Sequence, residues 1–191
     1  MAVATEVLRK EHDAILSMLE ATEEVARRWD AGERVEPEIL DGLLEFFRLF
    51  ADRCHHGKEE ELLFPLLEQK GMPRSGGPIG VMLSEHEEGR ALVRQMAEAA
   101  AEYRQGVADA GQRWAAAAKQ YIALLREHIA KENNILFVMA ERMLTPEEQG
   151  TLATSFEKVE IERMGAGTHE RLHAQMDQLL ASIWKERITS R

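Results

Sequence analysis

Two ten-residue stretches decide the fold: His55–Phe64, HHGKEEELLF, and His128–Phe137, HIAKENNILF. Aligned without a gap, both have histidine first, lysine fourth, glutamate fifth and an apolar pair followed by phenylalanine at the end. This weak internal repeat indicates two equivalent helices. Each helix has a polar motif on a face that is otherwise apolar.

The alignment selects one histidine and one glutamate from each stretch: His55 with Glu59, and His128 with Glu132. Residues four apart lie one helical turn above each other on the same face, so each pair can direct two donor groups at one ion. The order His-x-x-x-Glu differs from the Glu-x-x-His motif of ferritin-like di-iron bundles. We therefore interpret each pair as two metal ligands.

His12 and His86 extend the repeat, because they precede His55 and His128 by 43 and 42 residues, each within a Glu-His dipeptide. In each expected antiparallel hairpin, about 18 to 20 residues separate both histidines from the connecting turn. Since both helices rise equally per residue, the two histidines fall in one layer. Four helices thus bring four imidazoles and two carboxylates to one level of the core.

Apolar residues recur every three or four positions, which predicts an all-α fold: an antiparallel up-down-up-down four-helix bundle with a C-terminal helical extension. We expect helices over about 5–31, from residue 37 to the glycine-rich loop at 71–78, over 78–105, and around 114–139. Pro65 should kink the second helix or loosen its last turns. The sequence Thr145-Pro146-Glu147-Glu148 predicts a capped helix start, followed by two shorter helices divided at residues 165–167.

Composition indicates one domain, with 191 residues of which 45% are hydrophobic and 30% charged. We divide it into a metal-binding bundle, 1–144, and C-terminal helices, 145–191, packed on the same domain. The net charge of −10 argues against nucleic acid and anionic membranes as partners. Cys54 is the only cysteine, and the N-terminus has no signal-peptide pattern, so we expect a cytoplasmic protein.

Buried glutamates require a cation, since desolvating a lone carboxylate costs several kcal/mol or more. Imidazole with carboxylate suits iron or manganese, whereas structural zinc sites usually have four ligands and often thiolates. Six side chains from four helices are too many for one open ion. They can hold two ions that share Glu59 and Glu132.

The stretch from about Val7 to Ala140 resembles the hemerythrin-like HHE cation-binding domains through the motifs EH, HHGKEEELLFP, EHEEGR and HIAKENNILF. The resemblance implies a four-helix bundle around two oxo- or hydroxo-bridged iron ions, and it favours iron over manganese or zinc. The implied ligands are His12 and His55 on one iron, His86 and His128 on the other, and Glu59 and Glu132 as bridges.

Two departures from the oxygen carriers of that family change the expectation. Those proteins have a second histidine four residues after the third-helix ligand, where this chain has Arg90, and an aspartate where it has Asn133. One iron is then short of a nitrogen ligand. His56, water or a C-terminal residue can supply it, although His56 can equally line a helix boundary.

Several nearby residues have more than one interpretation. For His169 and His173 we favour packed or surface positions over a role in which Glu160 or His169 reaches the metal. Arg90 either pairs with a carboxylate or extends to solvent, and Cys54 is interpreted as a small packed residue.

The function expected from the resemblance is binding or sensing of dioxygen, peroxide, nitric oxide or iron. A di-iron redox enzyme, peroxidase-like, catalase-like or acting on nitric oxide, remains open. So does a metal-stabilised interaction module. The sequence contains no second catalytic motif, and it does not indicate a redox partner or an oligomeric state.

Overall fold

The computed structural model describes residues 3–165 and 167–189, without the side chains of residues 163, 164, 169, 170 and 186–189. This described part is all-helical and contains no strand, as predicted. Its six helices are α1 (Ala4–Asp30), α2 (37–69), α3 (Pro78–Arg104), α4 (110–143), α5 (Pro146–Met164) and α6 (Thr168–Thr189).

Helices α2 and α4 each change their hydrogen-bonding pattern along their length. Helix α2 comprises an α-helical segment Pro37–Phe46, π-helical segments Phe47–His56 and Glu59–Leu63, and a final α-helical segment Phe64–Gln69. Helix α4 comprises Ala110–Lys131, a π-helical segment Glu132–Leu136, and Phe137–Met143. A π-helix has i→i+5 hydrogen bonds and is most common at functional sites. Here the π-helical segments overlap both His-x-x-x-Glu motifs.

Pro65 lies directly after the π-helical segment Glu59–Leu63, within the first turn of the last part of α2. A proline has no backbone N–H to donate, so the regular α-helical ladder cannot continue through it. The change to π-helix lies before Pro65, whereas the last turns, which were expected to loosen, are α-helical from Phe64 to Gln69.

Helices α1 to α4 form the predicted bundle, with α3 packed on α4, α1 on α4, and α2 on α3. Short connections between consecutive helices favour antiparallel neighbours. Helices α5 and α6 pack against both α1 and α2, and therefore cover one side of the bundle. Helix α5 begins with the predicted capping box: Glu148 N–H donates to Thr145 Oγ1 (3.2 Å), and Thr145 N–H donates to Glu148 Oε2 (2.9 Å).

The apolar interior consists of two clusters. One contains Ile15, Leu19, Phe47, Trp114 and their neighbours, and it also includes Leu172 and Ile183 of α6. The other contains Leu8, Leu63, Phe137 and their neighbours, together with Phe156 of α5. The positions of Leu8 and Ile15 on α1 place His12 between the clusters. Among the described helices, none is long and apolar enough to cross a bilayer.

Candidate metal centre

The six residues predicted as ligands meet in a buried polar layer between the two apolar clusters. They come from all four bundle helices: His12 from α1, His55 and Glu59 from α2, His86 from α3, and His128 and Glu132 from α4. None is more than 1% exposed. Their donor atoms form two sets, each lying within 4.8 Å, and both sets include Glu59 and Glu132.

The histidines form two close pairs. His12 Nε2 lies 3.0 Å from His55 Nε2, and His86 Nε2 lies 3.3 Å from His128 Nε2. The pairing follows the two hairpins, α1 with α2 and α3 with α4. This is the grouping that the family resemblance implies for two metal positions.

Each glutamate lies between the two histidine pairs. Glu132 Oε2 is 3.0 Å from His12 Nε2 and 3.3 Å from His128 Nε2. Glu59 presents Oε1 to His55 Nε2 at 3.7 Å and Oε2 to His86 Nε2 at 3.4 Å. Both carboxylates are thus placed to contact two ions, one in each histidine pair.

A polar side chain faces the outer nitrogen of each of the four histidines predicted as ligands. The four contacts are His12 Nδ1 to Asn133 Oδ1 (2.9 Å), His55 Nδ1 to Glu11 Oε2 (2.8 Å), His86 Nδ1 to Glu60 Oε1 (2.7 Å) and His128 Nδ1 to Glu85 Oε2 (3.0 Å). Carboxylates only accept, so Nδ1 is the donor nitrogen in each neutral imidazole that faces one. The lone pair of Nε2 then points into the layer, which is the form of histidine that binds metals.

These outer contacts repeat between the two hairpins. In each hairpin, the glutamate that precedes the first histidine contacts the second histidine. Glu11 precedes His12 and contacts His55, and Glu85 precedes His86 and contacts His128. The residue after each predicted glutamate ligand contacts the first histidine of the other hairpin. Asn133 follows Glu132 and contacts His12, and Glu60 follows Glu59 and contacts His86. The two Glu-His dipeptides of the repeat thus have a role that their sequence alone did not indicate, since each glutamate faces a histidine of the neighbouring helix.

Two lysines complete the repeat, at the position where both motifs have lysine. Lys58 Nζ donates to Glu11 and, at 3.0 Å, to Glu160 Oε2 of α5. Lys131 Nζ donates to Glu85. The two sides differ in burial, because the Lys58 side chain is 1% exposed and that of Lys131 is 35% exposed. Helix α5 therefore covers only one of the two equivalent lysines.

The layer fits a metal because its carboxylates have no hydrogen-bond donor. Among the described residues, none of the four side-chain oxygens of Glu59 and Glu132 has a hydrogen-bond partner, although all are buried. Facing Nε2 lone pairs at 3.0 Å would also repel each other. Buried polar groups without partners are costly, and cations between them remove both penalties.

The electrostatics of the layer favour positive charge. Burial alone would lower the pKa of His86, but the adjacent carboxylates of Glu59 and Glu60 raise it to about 9. The pKa of His12 is raised in the same way, against burial, by Glu132. Burial would raise the pKa of Glu132, but the neighbouring histidines lower it. The Glu132 carboxylate therefore remains ionised, as metal binding requires.

His56 also belongs to the layer, since the π-helical segment brings it inside together with His55. Its ring stacks on that of His86, with centroids 3.8 Å apart, and one nitrogen lies within 4.8 Å of nitrogens of His86 and His128. Its Nδ1 lies 3.4 Å from Asp52 Oδ1, neither ring nitrogen makes a hydrogen bond among the described residues, and the side chain is 5% exposed. Burial and the adjacent histidines keep its pKa well below the usual value, so the ring is neutral and able to ligate.

Arg90, Glu160 and His173, the other candidates with described side chains, have different contacts. Arg90 pairs with carboxylates, donating from Nε to Asp52 Oδ1 (2.8 Å) and from Nη2 to Glu60 Oε1 (2.7 Å). Glu160 contacts Lys58 instead of a predicted ligand, and His173 packs edge-on against Phe50. The side chain of His169 lies outside the described residues.

Cys54 is buried beside Glu11 and Glu160, and these three residues could in principle bind a cation. The ammonium of Lys58 already supplies positive charge to both carboxylates. Burial raises the pKa of the Cys54 thiol to about 12, which keeps it protonated. This geometry agrees with a packed residue, as the sequence indicated.

Fold and site together define a helical bundle whose buried histidines and carboxylates form a candidate cation-binding centre. The family described as hemerythrin HHE cation binding domain matches residues 3–140, which is most of the chain. The chain belongs to this family. It is therefore a hemerythrin-like, metal-binding protein.

Individual relatives extend the comparison. Protein Rv1995 of Mycobacterium tuberculosis (strain H37Rv) is 28% identical over 165 residues, which cover 85% of this chain and 63% of that protein. The iron-sulfur cluster repair protein YtfE of Enterobacter sp. (strain 638) is 37% identical over 116 residues, covering 56% of this chain and 52% of that protein. YtfE of Escherichia coli O81 is 33% identical over 110 residues, covering 55% and 50%. The chain thus spans between half and two thirds of these relatives.

Proposed function

We propose that the chain is a non-haem di-iron protein that binds or senses dioxygen, peroxide, nitric oxide or iron. His12 and His55 hold one ion, and His86 and His128 hold the other. Glu59 and Glu132 bridge them. His56 supplies a further nitrogen to the second ion, in place of the histidine that oxygen carriers have where this chain has Arg90.

One observation carries the proposal: two fully buried carboxylates without hydrogen-bond donors lie between two pairs of Nε2 lone pairs. A single ion would leave one histidine pair unused. The donor set of imidazole and carboxylate, without thiolate, suits iron or manganese better than structural zinc.

Bound iron would supply reversible redox chemistry and an open coordination position for a small ligand. The chain's own residues fix everything around that position. Asn133, Glu11, Glu60 and Glu85 hold the imidazole tautomers, and the apolar clusters on both sides exclude bulk water. Contacts of this kind orient the ligands and tune the affinity of the metal.

Metal analysis tests the site. We expect about two irons per purified chain after expression with iron, and a loss of metal in His55→Ala and Glu132→Ala. The matched control is His173→Ala, which removes a histidine that packs on Phe50 outside the layer. Fewer than about one iron per chain, or full iron content in both ligand variants, would contradict the di-iron proposal.

Ligand binding separates the open functions. Anaerobic reduction followed by air should change the iron charge-transfer absorption reversibly if the protein binds or senses oxygen. Consumption of peroxide or nitric oxide over many turnovers would instead support the redox enzyme. Full metal occupancy without either response would favour a metal-stabilised interaction module.

Iron handling is a second candidate, favoured by the identity of 37% with a protein named for iron-sulfur cluster repair. The similarity covers about half of that relative, so we propose only that iron can be released from this site. Transfer of iron from the loaded protein to an iron-free, cluster-depleted acceptor would support this role. Retention of all iron in the presence of that acceptor would argue against it.

A further inference from the structure

A cavity of about 170 Å³ lies beside the candidate metal centre, between α2, α3 and α4. We call it the arginine pocket, because Arg48, Arg90 and Arg94 line it together with His56. It is distinct from the histidine–glutamate layer, since His56 is the only residue of that layer among its lining residues.

Helix geometry explains why the charges converge. Arg48, Asp52 and His56 follow each other at four-residue intervals on α2, and Arg90 and Arg94 do so on α3. Residues at this spacing share one helix face. Three guanidiniums therefore meet one carboxylate in the pocket of a chain whose net charge is −10.

The three arginines differ in their pairing. Arg90 is occupied by Asp52, Glu60 and Glu87, at 2.7 to 2.8 Å. Arg48 and Arg94 are exposed, and neither has an ion pair within the described part of the chain. Two guanidiniums at this pocket thus remain without a carboxylate partner.

His56 lines the pocket on the side of the metal centre and is 4% exposed. Its Nδ1 lies 3.4 Å from Asp52 Oδ1, and neither ring nitrogen makes a hydrogen bond within the described part of the chain. One ring nitrogen can face His86 and His128. A polar group in the pocket can give Nδ1 a closer partner than Asp52.

The walls of the pocket define the rest of the ligand. Phe47, Val93 and the ring of Tyr121 are apolar surfaces, and Gly89 leaves space because it has no side chain. A built Cβ at Gly89 would approach Tyr121 to 3.5 Å, so this glycine directly borders the wall. A ligand that fits has an anionic group for the arginines and a short hydrocarbon body for the walls.

We propose that the arginine pocket binds a small organic carboxylate next to the metal centre. Its carboxylate pairs with Arg48 and Arg94, in the bidentate geometry that guanidinium favours. Its hydrocarbon part contacts Phe47, Val93 and Tyr121, and its polar end approaches His56. The inference does not depend on the number of metal ions or on their being iron.

Butyrate binding to the purified, full-length protein tests this proposal by calorimetry at low ionic strength. We expect saturable one-to-one binding of butyrate. Butyramide should bind at least about tenfold more weakly because it lacks the charge that makes hydrogen bonds to arginine strong. Chloride should also bind at least about tenfold more weakly because it lacks the hydrocarbon body that contacts the walls. Binding of nitrate or chloride as tight as that of butyrate would overturn the organic class. No butyrate binding would overturn the proposal.

Variants locate the site. Arg48→Gln and Arg94→Gln should each weaken butyrate binding about tenfold, while Arg142→Gln, an exposed arginine elsewhere on α4, leaves it unchanged. Gly89→Leu fills the cavity and should abolish binding. Metal content, measured on the same samples, should stay constant.

Metal content also distinguishes this proposal from the proposed function. Loss of butyrate affinity in the arginine variants at full metal content supports the pocket. Unchanged affinity in both variants places the carboxylate elsewhere, including on the metal itself, and overturns the proposal. Neither result depends on whether the metal is iron or whether it reacts with oxygen.

Discussion

Asn133 and Asn134 are adjacent in the sequence but have different roles at the residue scale. Asn133 Oδ1 faces His12 Nδ1 at 2.9 Å, whereas Asn134 Nδ2 donates to the backbone oxygen of Ala130 one turn earlier on the exposed side of α4. Only the first residue can hold the orientation of a predicted ligand. The pair therefore provides a matched test of the outer contacts.

We expect Asn133→Ala to weaken metal binding about 10- to 100-fold, as removal of such an outer partner does in other metal sites. Asn134→Ala should leave the metal affinity unchanged. Competition with a chelator of known affinity measures both variants. Equal affinities for the two variants would show that the contact between Asn133 and His12 does not support the metal site.

Lys58 and Lys131 are equivalent in the repeat but differ in burial. We expect Lys58→Met to lower the free energy of unfolding by about 3 to 5 kcal/mol, because it leaves the buried carboxylate of Glu11 without its cation. Lys131→Met should cost about 1 kcal/mol or less, since Lys131 is 35% exposed and its ion pair is screened by water. Urea denaturation measures both, and similar losses would contradict this explanation.

At the scale of helices, the sequence predicted the boundaries of α1 and α3 to within a residue, because the apolar period, Pro78 and the glycine-containing turns define them. It also selected six residues that the fold brings into one layer. It did not predict the π-helical segments, since an apolar pattern with a spacing of three to four residues does not distinguish i→i+4 from i→i+5 hydrogen bonds. For the same reason the inward position of His56 stayed undecided.

Outer contacts were the other part that the sequence left open. Glu11, Glu85 and Lys58 are charged residues next to predicted ligands, and a charged residue is usually solvated. Their burial depends on the distance between helices and on α5, which supplies Glu160. The repeated lysine and the Glu-His dipeptides could have identified these residues, because both recur at equivalent positions of the two hairpins.

Gly89 and Gly111 test how closely the bundle helices approach each other. A Cβ at Gly89 would meet its neighbours at 3.5 Å or more, so Gly89→Ala should stabilise α3 by about 0.5 to 1 kcal/mol. A Cβ at Gly111 would lie 2.7 Å from Trp29 Nε1. Because Trp29 is packed against Tyr103 and Trp114, Gly111→Ala should cost about 1 to 3 kcal/mol. Changes of the same sign in urea denaturation would contradict this contrast.

For the whole molecule, we propose that residues 145–191 form one cooperative unit with the bundle. Phe156 of α5 and Leu172 of α6 are buried in different apolar clusters, and Glu160 reaches Lys58 beside the candidate site. We expect a single unfolding transition that tryptophan fluorescence and far-ultraviolet circular dichroism report at the same urea concentration. Two separated transitions would show that the C-terminal helices unfold independently of the bundle.

The pH dependence of stability should have opposite signs with and without metal. Carboxylates raise the pKa of His86 from 6.5 to about 9 in the folded protein, despite burial. A group whose pKa is higher in the folded state contributes stability that is fully present below the unfolded pKa and is lost as the pH rises through the folded pKa. The chelator-treated protein should therefore lose on the order of 3 kcal/mol between pH 6.5 and 9.

In the metal-loaded protein the same histidine must be deprotonated to bind the ion, so rising pH strengthens metal binding and with it the folded state. Urea denaturation of both forms at several pH values between 6.5 and 9 compares the slopes. His86→Ala should flatten the slope of the chelator-treated protein, because it removes the proton that the carboxylates attract. Equal slopes for the loaded and chelated protein would show that the histidine–glutamate layer does not exchange protons for metal.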